Sequence, residues 1–429
     1  MIDPKGSRVI QNLSRRVMKA VVVALAAVSS LEARATQPAE APAPTDDPAT
    51  PALEASAPRA DVPSEEAPAP AASPSDAAAP SDAAPSDSVG APAAVAPYAP
   101  LLAASLLAPE AMGPRVSVGG FADVTLESIE DFATTNVTIG QLVVHANAVM
   151  PAGFGAFTEV TVNSTPEWQT RVERLFLSYE PSDALKLTVG RQHLPVTWWN
   201  STFHHGLWLQ TTARRPMMIG FNDAFIPNHF VGVFADGQLP VARALGIRYH
   251  LGLSGGGDDH KHTTDSYLET PRASYSGGLA FEPRVIQHLR VGAVAYLDPH
   301  RMRDGQMVSE TLVGAHVAYT AERPEIIAEW VEVRHDIASA HYASPAAYAQ
   351  VAWRFKELGG RLKPYARAER MRIDASDPTL ASAVSQDLFT VGLRVDPIAW
   401  FAIKVEGARR VPVGGTASNE GLLQVSASW

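Results

Sequence analysis

From Arg115 onward the chain alternates between apolar and polar positions with a period of two. Leu245, Ile247, Tyr249, Leu251 and Leu253 fall on one side of a strand, with Arg248, His250 and Ser254 on the other. The pattern returns in Leu289, Val291, Ala293, Ala295 and Leu297, in Thr311, Val313, Ala315, Val317 and Tyr319, and in Ala347, Ala349, Val351, Trp353 and Phe355. Such alternation over ten residues predicts a strand with one apolar face. Each run reaches the roughly 9 to 11 residues that carry a tilted strand across a bilayer. The last eight residues obey the same rule, with Leu423, Val425, Ala427 and Trp429 opposite Gln424, Ser426 and Ser428.

The connections alternate too. Tight links are predicted at Met150-Pro151-Ala152-Gly153, Glu180-Pro181-Ser182-Asp183, Gln238-Leu239-Pro240, Glu282-Pro283-Arg284, Glu322-Arg323-Pro324, Glu357-Leu358-Gly359-Gly360 and Asp396-Pro397, where proline and glycine mark turns. Between them lie longer polar stretches near 128–136, 164–170, 192–228, 255–271, 299–308, 335–344, 373–384 and 409–418. Short turns at one rim and long loops at the other are the asymmetry of an outer-membrane barrel. The expected fold is therefore all-β, a transmembrane antiparallel barrel of about 16 strands over 114–429 with both termini on the periplasmic side.

The first part of the chain is of a different kind. Lys5, Arg8, Arg15, Arg16 and Lys19 precede an apolar run from Ala20 to Val28, and Ala33-Arg34-Ala35 follows, so 1–35 reads as a secretory signal peptide. Met18 is an alternative start, because Met18-Lys19 and the same run already form a short signal. Residues 36–113 are rich in Pro, Ala, Ser and Asp and carry too little apolar surface to fold alone, which predicts a disordered periplasmic linker. Stretched as polyproline II at about 3.1 Å per residue, it would reach on the order of 200 Å. Most of the net charge of -10 falls in this arm, which leaves the barrel nearly balanced. Within it, Leu101-Leu102-Ala103-Ala104-Ser105-Leu106-Leu107 suits a short amphipathic helix against the barrel rim, or a plug. The absence of cysteine excludes a lipoprotein anchor, disulfides and thiolate metal sites.

Several segments carry a resemblance. They are Leu185-Lys186-Leu187-Thr188-Val189-Gly190-Arg191, Ala328-Glu329-Trp330-Val331-Glu332-Val333, Leu362-Lys363-Pro364-Tyr365-Ala366-Arg367, and Phe389-Thr390-Val391-Gly392-Leu393-Arg394 followed by Lys404-Val405-Glu406. In pattern, 116–429 resembles the Gram-negative outer-membrane porin superfamily, and its later part the phosphate-selective porin group. The resemblance implies a sixteen-stranded, trimeric diffusion channel in the cell outer membrane, among lipid and lipopolysaccharide. It also implies that Trp429 is the signal read by the barrel assembly machinery, and that the third loop folds into the lumen and forms the constriction.

That third loop, 192–228, is the longest, and its aromatic content suits packing better than solvation. Trp208, His204, His205, Arg214 and Arg215 are the candidate constriction residues, the two arginines attracting anions or pairing with lumen acids such as Glu159 or Glu310. No metal is expected at His204-His205, even with His193 and His229 near in sequence, because adjacent histidines in a strand point opposite ways. Asp258-Asp259-His260-Lys261-His262 reads as a flexible loop tip, with a surface cation site as the alternative. Alternation assigns Arg174, Lys186, Arg248, Arg290, Arg354, Lys356, Lys363, Arg367, Arg394 and Lys404 to the lumen, with Asp123, Glu159, Glu282, Glu310, Glu369 and Glu406. Bases slightly exceed acids, which predicts a mild anion preference. Charge on both faces of Glu325 to Arg334 leaves that strand unassigned.

Three functions fit: a passive channel for small hydrophilic solutes, a barrel anchoring its periplasmic tether, and a barrel hydrolase. The hydrolase would need a serine nucleophile beside an inward His145 and Asn147, and no Ser-Asn-Gly-like segment lies next to a histidine. The channel reading requires no catalytic residue and no cofactor, and nothing in the chain suits nucleic acid.

Overall fold

The computed structural model describes residues 113–129, 134–164, 169–220, 225–240, 245–254, 267–269, 273–302 and 305–429. The signal, the linker and the Asp258–His262 loop tip lie outside them. The strands are β1 (Arg115–Ile129), β2 (Thr134–Val149), β3 (Phe154–Asn163), β4 (Gln169–Ser182), β5 (Leu185–His193), β6 (His229–Gln238), β7 (Ile247–Ser254), β8 (Tyr267–Glu269), β9 (Ser274–Phe281), β10 (Leu289–Met302), β11 (Met307–Thr320), β12 (Glu325–Ile337), β13 (Ala340–Ala352), β14 (Leu362–Met371), β15 (Gln386–Ile398), β16 (Phe401–Pro412) and β17 (Ser418–Ser428). Each pairs antiparallel with its neighbour. The three-residue β8 only extends the edge of β10, so β7 pairs directly with β9. Pairing of β1 with β17 closes a sixteen-strand ring, the fold class expected.

Closure needs a glycine. Gly120 and Trp429 exchange both backbone hydrogen bonds, at 3.1 and 3.2 Å. A Cβ on Gly120 would fall 2.3 Å from the Trp429 ring and 2.4 Å from the Val143 carbonyl.

The wall is inside out relative to a soluble protein. Leu175, Leu177, Val189, Val231, Val233, Leu251 and Leu253 are exposed on the outside, and Thr188, Lys363, Arg367, Lys404 and Gln424 are buried on the inside. At the rim of short turns the exposed side chains become aromatic: Phe154 and Tyr179 meet at 4.7 Å between ring centres, and Phe281, Trp353, Phe355, Trp400 and Trp429 continue the row. An apolar band edged by an aromatic girdle is what a bilayer requires of a barrel.

The turns and loops fall where the alternation places them, with corrections. The stretch 335–344 is not a long loop: β12 runs to Ile337 and β13 begins at Ala340, leaving Ala338, with positive φ, and Ser339 as a tight hairpin. Polar residues such as His335, Asp336 and His341 belong to paired strand. The stretches 299–308 and 409–418 shrink to four and five residues in the same way. The unassigned strand is ordinary β12: Glu325, Ile327, Glu329, Val331, Val333 and His335 are all buried on one face. Alternation failed there because that inner face is itself apolar where the third loop packs on it. Lys356 is not a lumen residue, since it sits exposed in a 3-10 turn, Lys356–Leu358.

Candidate functional site

Between β5 and β6 the chain leaves the wall at Leu194 and returns at Asn228, and its described residues pack inward against the wall. Leu194, Val196, Trp198, Trp199, Met217, Met218, Ile219, Phe225 and Ile226 are buried together with Phe230, Tyr296, Leu312, Ile327 and Val331 of the wall. The two ends of the loop are tied to each other. Leu194 N–H donates to the Asn228 carbonyl at 2.9 Å, and the Asn200 amide donates to both Leu194 and Asn228 carbonyls at 2.8 and 3.1 Å.

A short helix, α1 (Trp198–Phe203), starts the loop. Thr197 caps it, its hydroxyl accepting from Asn200 N–H at 2.9 Å. The wall completes the cap: the Glu329 carboxylate accepts from Trp198 and Trp199 N–H at 2.6 and 3.0 Å and from Tyr348 at 2.6 Å. A carboxylate at the positive end of a helix satisfies donors that no residue of the helix can reach.

Farther along, charges from β12 to β17 hold the loop. Arg214 reaches Glu406 and Glu420, both at 2.5 Å. Arg367 pairs with Glu369 at 2.7 Å and donates to Thr212 Oγ1 and to the carbonyls of Arg214 and Arg215. Glu369 also accepts from Met217 N–H at 2.6 Å, and Arg394 donates to the carbonyls of Trp208 and Gln210 at 2.8 Å. Lys404 donates to Leu207 and Thr212 carbonyls. Burial opposes the charge on Arg214, and Glu406 and Glu420 reverse that, holding its pKa above the ordinary value.

These contacts decide where the expected residues stand. Arg214 pairs with acids, but Glu406 and Glu420 replace the expected Glu159 and Glu310. Glu159 is taken by Arg174 at 2.6 Å and Glu310 by His335 at 2.9 Å. Arg215 donates to Gln141 at 3.1 Å and lies 5.6 Å over the Trp199 ring; burial pulls it down to about 9 against the pull of Asp123 and Glu173. Trp208 stacks on Phe121 and lies under Arg394 at 5.7 Å. Of the lumen bases, Lys363 pairs with Glu325 at 2.7 Å, Arg394 with Asp396 at 2.8 Å, and Arg354 with Glu322 and Asp396 at 2.6 Å each. Lys186, Arg248 and Arg290 are different, being only half-buried: Arg290 pairs with Glu282 at 2.9 Å, and half-buried Asp236 lies near Lys186 and Arg248.

His204 and His205 are both buried, beside His193 and His229. The objection that adjacent histidines diverge holds for a strand. Here they follow α1, His204 with right-handed helical φ/ψ and Gly206 at φ 86°, so both rings reach the same side. Glu173 completes this corner. On β4 both Glu173 and Arg174 are buried between exposed Val172 and Leu175, because the pairing with β3 slips there. Such a bulge re-aims a side chain that alternation sends outward.

No family model matches the chain, and no curated protein matches it in sequence. Solved structures do share the fold. The outer-membrane channel DcaP of Acinetobacter baumannii superposes with a TM-score of 0.56 at 14% identity, over 74% of this chain and 98% of that one. The anion-selective porin from Comamonas acidovorans gives 0.56 at 10% identity, over 74% and 100%. Salmonella typhi OmpF in complex with daunomycin gives 0.53 at 12%, over 74% and 98%. At such identities the likeness defines the architecture, a porin-type barrel.

Proposed function

We propose that the protein is an outer-membrane porin allowing passive diffusion of small hydrophilic solutes, with the third loop as its constriction and a mild preference for anions. The observation that carries this reading is the combination of an apolar, aromatic-edged outer wall with a charged lumen into which one long loop is folded. Buried acids outnumber buried bases in the lumen, but Glu159, Glu325, Glu369, Glu406 and Glu420 are paired with Arg174, Lys363, Arg367 and Arg214, and Glu329 accepts from loop N–H groups. The anion preference rests on the half-buried stretch of wall where Lys186, Arg248 and Arg290 outnumber Asp236 and Glu282, with Arg290 paired to Glu282 at 2.9 Å. Lipid and lipopolysaccharide are the partners of the outer wall, and Trp429 is the residue offered to the assembly machinery.

A second reading, a barrel that anchors the N-terminal arm, is favoured by how completely the loop is bolted down. Planar-bilayer recording of the refolded chain separates the two. Discrete current steps support the channel, and silence from folded, inserted protein supports the anchor.

A further inference from the structure

The four imidazoles of His193, His204, His205 and His229 bring one ring nitrogen each to within 4.8 Å of one another. Ring centres of His193 and His204 are 4.0 Å apart, and those of His204 and His205 4.4 Å. The four come from three places: the end of β5, the residues after α1, and the start of β6, where His193 and His229 are rung partners. Continuing the alternation of β5 and β6 puts His193 and His229 in step with outward Val189, Val231 and Val233. Both are buried instead, because the chain turns into the lumen at this rung.

The surroundings orient the rings for ligation. Asn200 spends its amide hydrogens on two carbonyls, so its Oδ1 faces His204 Nδ1 as an acceptor. His204 Nδ1 therefore carries the proton and Nε2 the lone pair. His205 Nδ1 lies 3.3 Å from Gln141 Oε1, the same arrangement. A ligand histidine almost always donates its other nitrogen to such a second partner. Buried His193 Nε2 has no hydrogen-bond partner among the described residues; its nearest carboxylate, Glu159 Oε1, is 3.7 Å away.

A cation here would also find counter-charge. Glu173 Oε2 lies 3.0 Å from His229 Nε2 and 3.6 Å from His205 Nε2, while its other oxygen accepts from Thr161 at 2.9 Å. Arg174 is already neutralised by Glu159.

We infer that His193, His204, His205 and His229, backed by Glu173, form a binding site for a divalent transition cation of the zinc class, which staples the third loop to β5 and β6. An all-imidazole set with a carboxylate at its edge suits zinc, nickel or copper and not magnesium or calcium. Zinc–nitrogen bonds of about 2.0–2.1 Å require side-chain rotations on the order of an ångström from the spread of the four nitrogens. The site stands whether or not the barrel conducts.

The test is equilibrium dialysis of the refolded full chain against zinc chloride, with metal content measured per chain. About one tightly held zinc is expected, surviving the H260Q/H262Q variant and lost in H193Q/H205Q. Gln141→Leu should weaken binding roughly 10- to 100-fold, as loss of an orienting partner does. No retained zinc, or retention unchanged in H193Q/H205Q, overturns the proposal. If that variant does not fold, X-ray absorption of zinc bound to the unaltered protein decides: three or four imidazole neighbours support the site, one or two overturn it.

Discussion

The two sides of the lumen use the same residue types to different ends. On the side from β12 to β17, Arg367, Arg394 and Lys404 each meet a carboxylate or a loop carbonyl at bonding distance and are buried, and Arg214 of the loop reaches Glu406 and Glu420 there. On the side from β5 to β10, Lys186, Arg248 and Arg290 stay half-buried with fewer acids than bases around them, and the one pair among them, Arg290 with Glu282, is itself half-exposed. A lumen base is thus a fastener where dry backbone must be satisfied, and a source of field where water reaches it. Counting inward charges mixes the two roles.

The difference can be broken from the fastened side first. Arg367→Met leaves Glu369 buried without its cation and frees three loop acceptors, an expected loss of about 3–5 kcal/mol. Denaturant unfolding in detergent measures it, and a change below 1 kcal/mol would mean that the loop is not held by these pairs. Glu329→Gln keeps the size of the side chain but turns an amide NH2 toward an N–H from which the carboxylate accepted; a loss of about 1–2 kcal/mol is expected. Its check is hydrogen exchange at Trp198 and Trp199, which should quicken.

On the open side, the K186Q/R248Q/R290Q variant should keep the stability of the barrel and lose anion preference. The permeability ratio is expected to fall by about twofold at 0.1 M salt and hardly at all at 1 M, since the screening length drops from about 10 Å to about 3 Å. The smallest effect concerns pH. Asp377, in the loop after β14, accepts from His335 at 2.6 Å. Burial raises its pKa, but the bond and charge of His335 outweigh that and hold it below the ordinary aspartate value. Its contribution is therefore complete above the unfolded value of about 3.9 and is lost as pH falls through the lower folded value. Exchange protection of Thr379 should be flat from neutral pH down to about 4 and then decline; a decline beginning near neutrality would contradict this linkage.

The barrel was legible because alternation and turn residues are local signals, and Leu251 or Arg367 needs no distant partner to reveal its face. The inward third loop was legible through its tryptophans. What eluded the sequence depended on breaks in the period of two. Glu173 faces inward only because β4 slips by one residue against β3. His193 and His229 follow strand parity up to the rung where the chain abandons the wall, and His204 with His205 converge only because a helix precedes them. Arg214 could be seen to need acids, but which acids depended on where loop and wall meet. Glu420 lies 206 residues away in the chain.

Single-channel recording of the refolded full chain under a potassium chloride gradient tests the central claim most directly. The account predicts discrete conductance steps with a reversal potential displaced toward that of chloride, and a smaller displacement in K186Q/R248Q/R290Q. Steps with a clear potassium preference would contradict the assignment of the open wall. No steps from protein shown to be folded and inserted would contradict the channel itself.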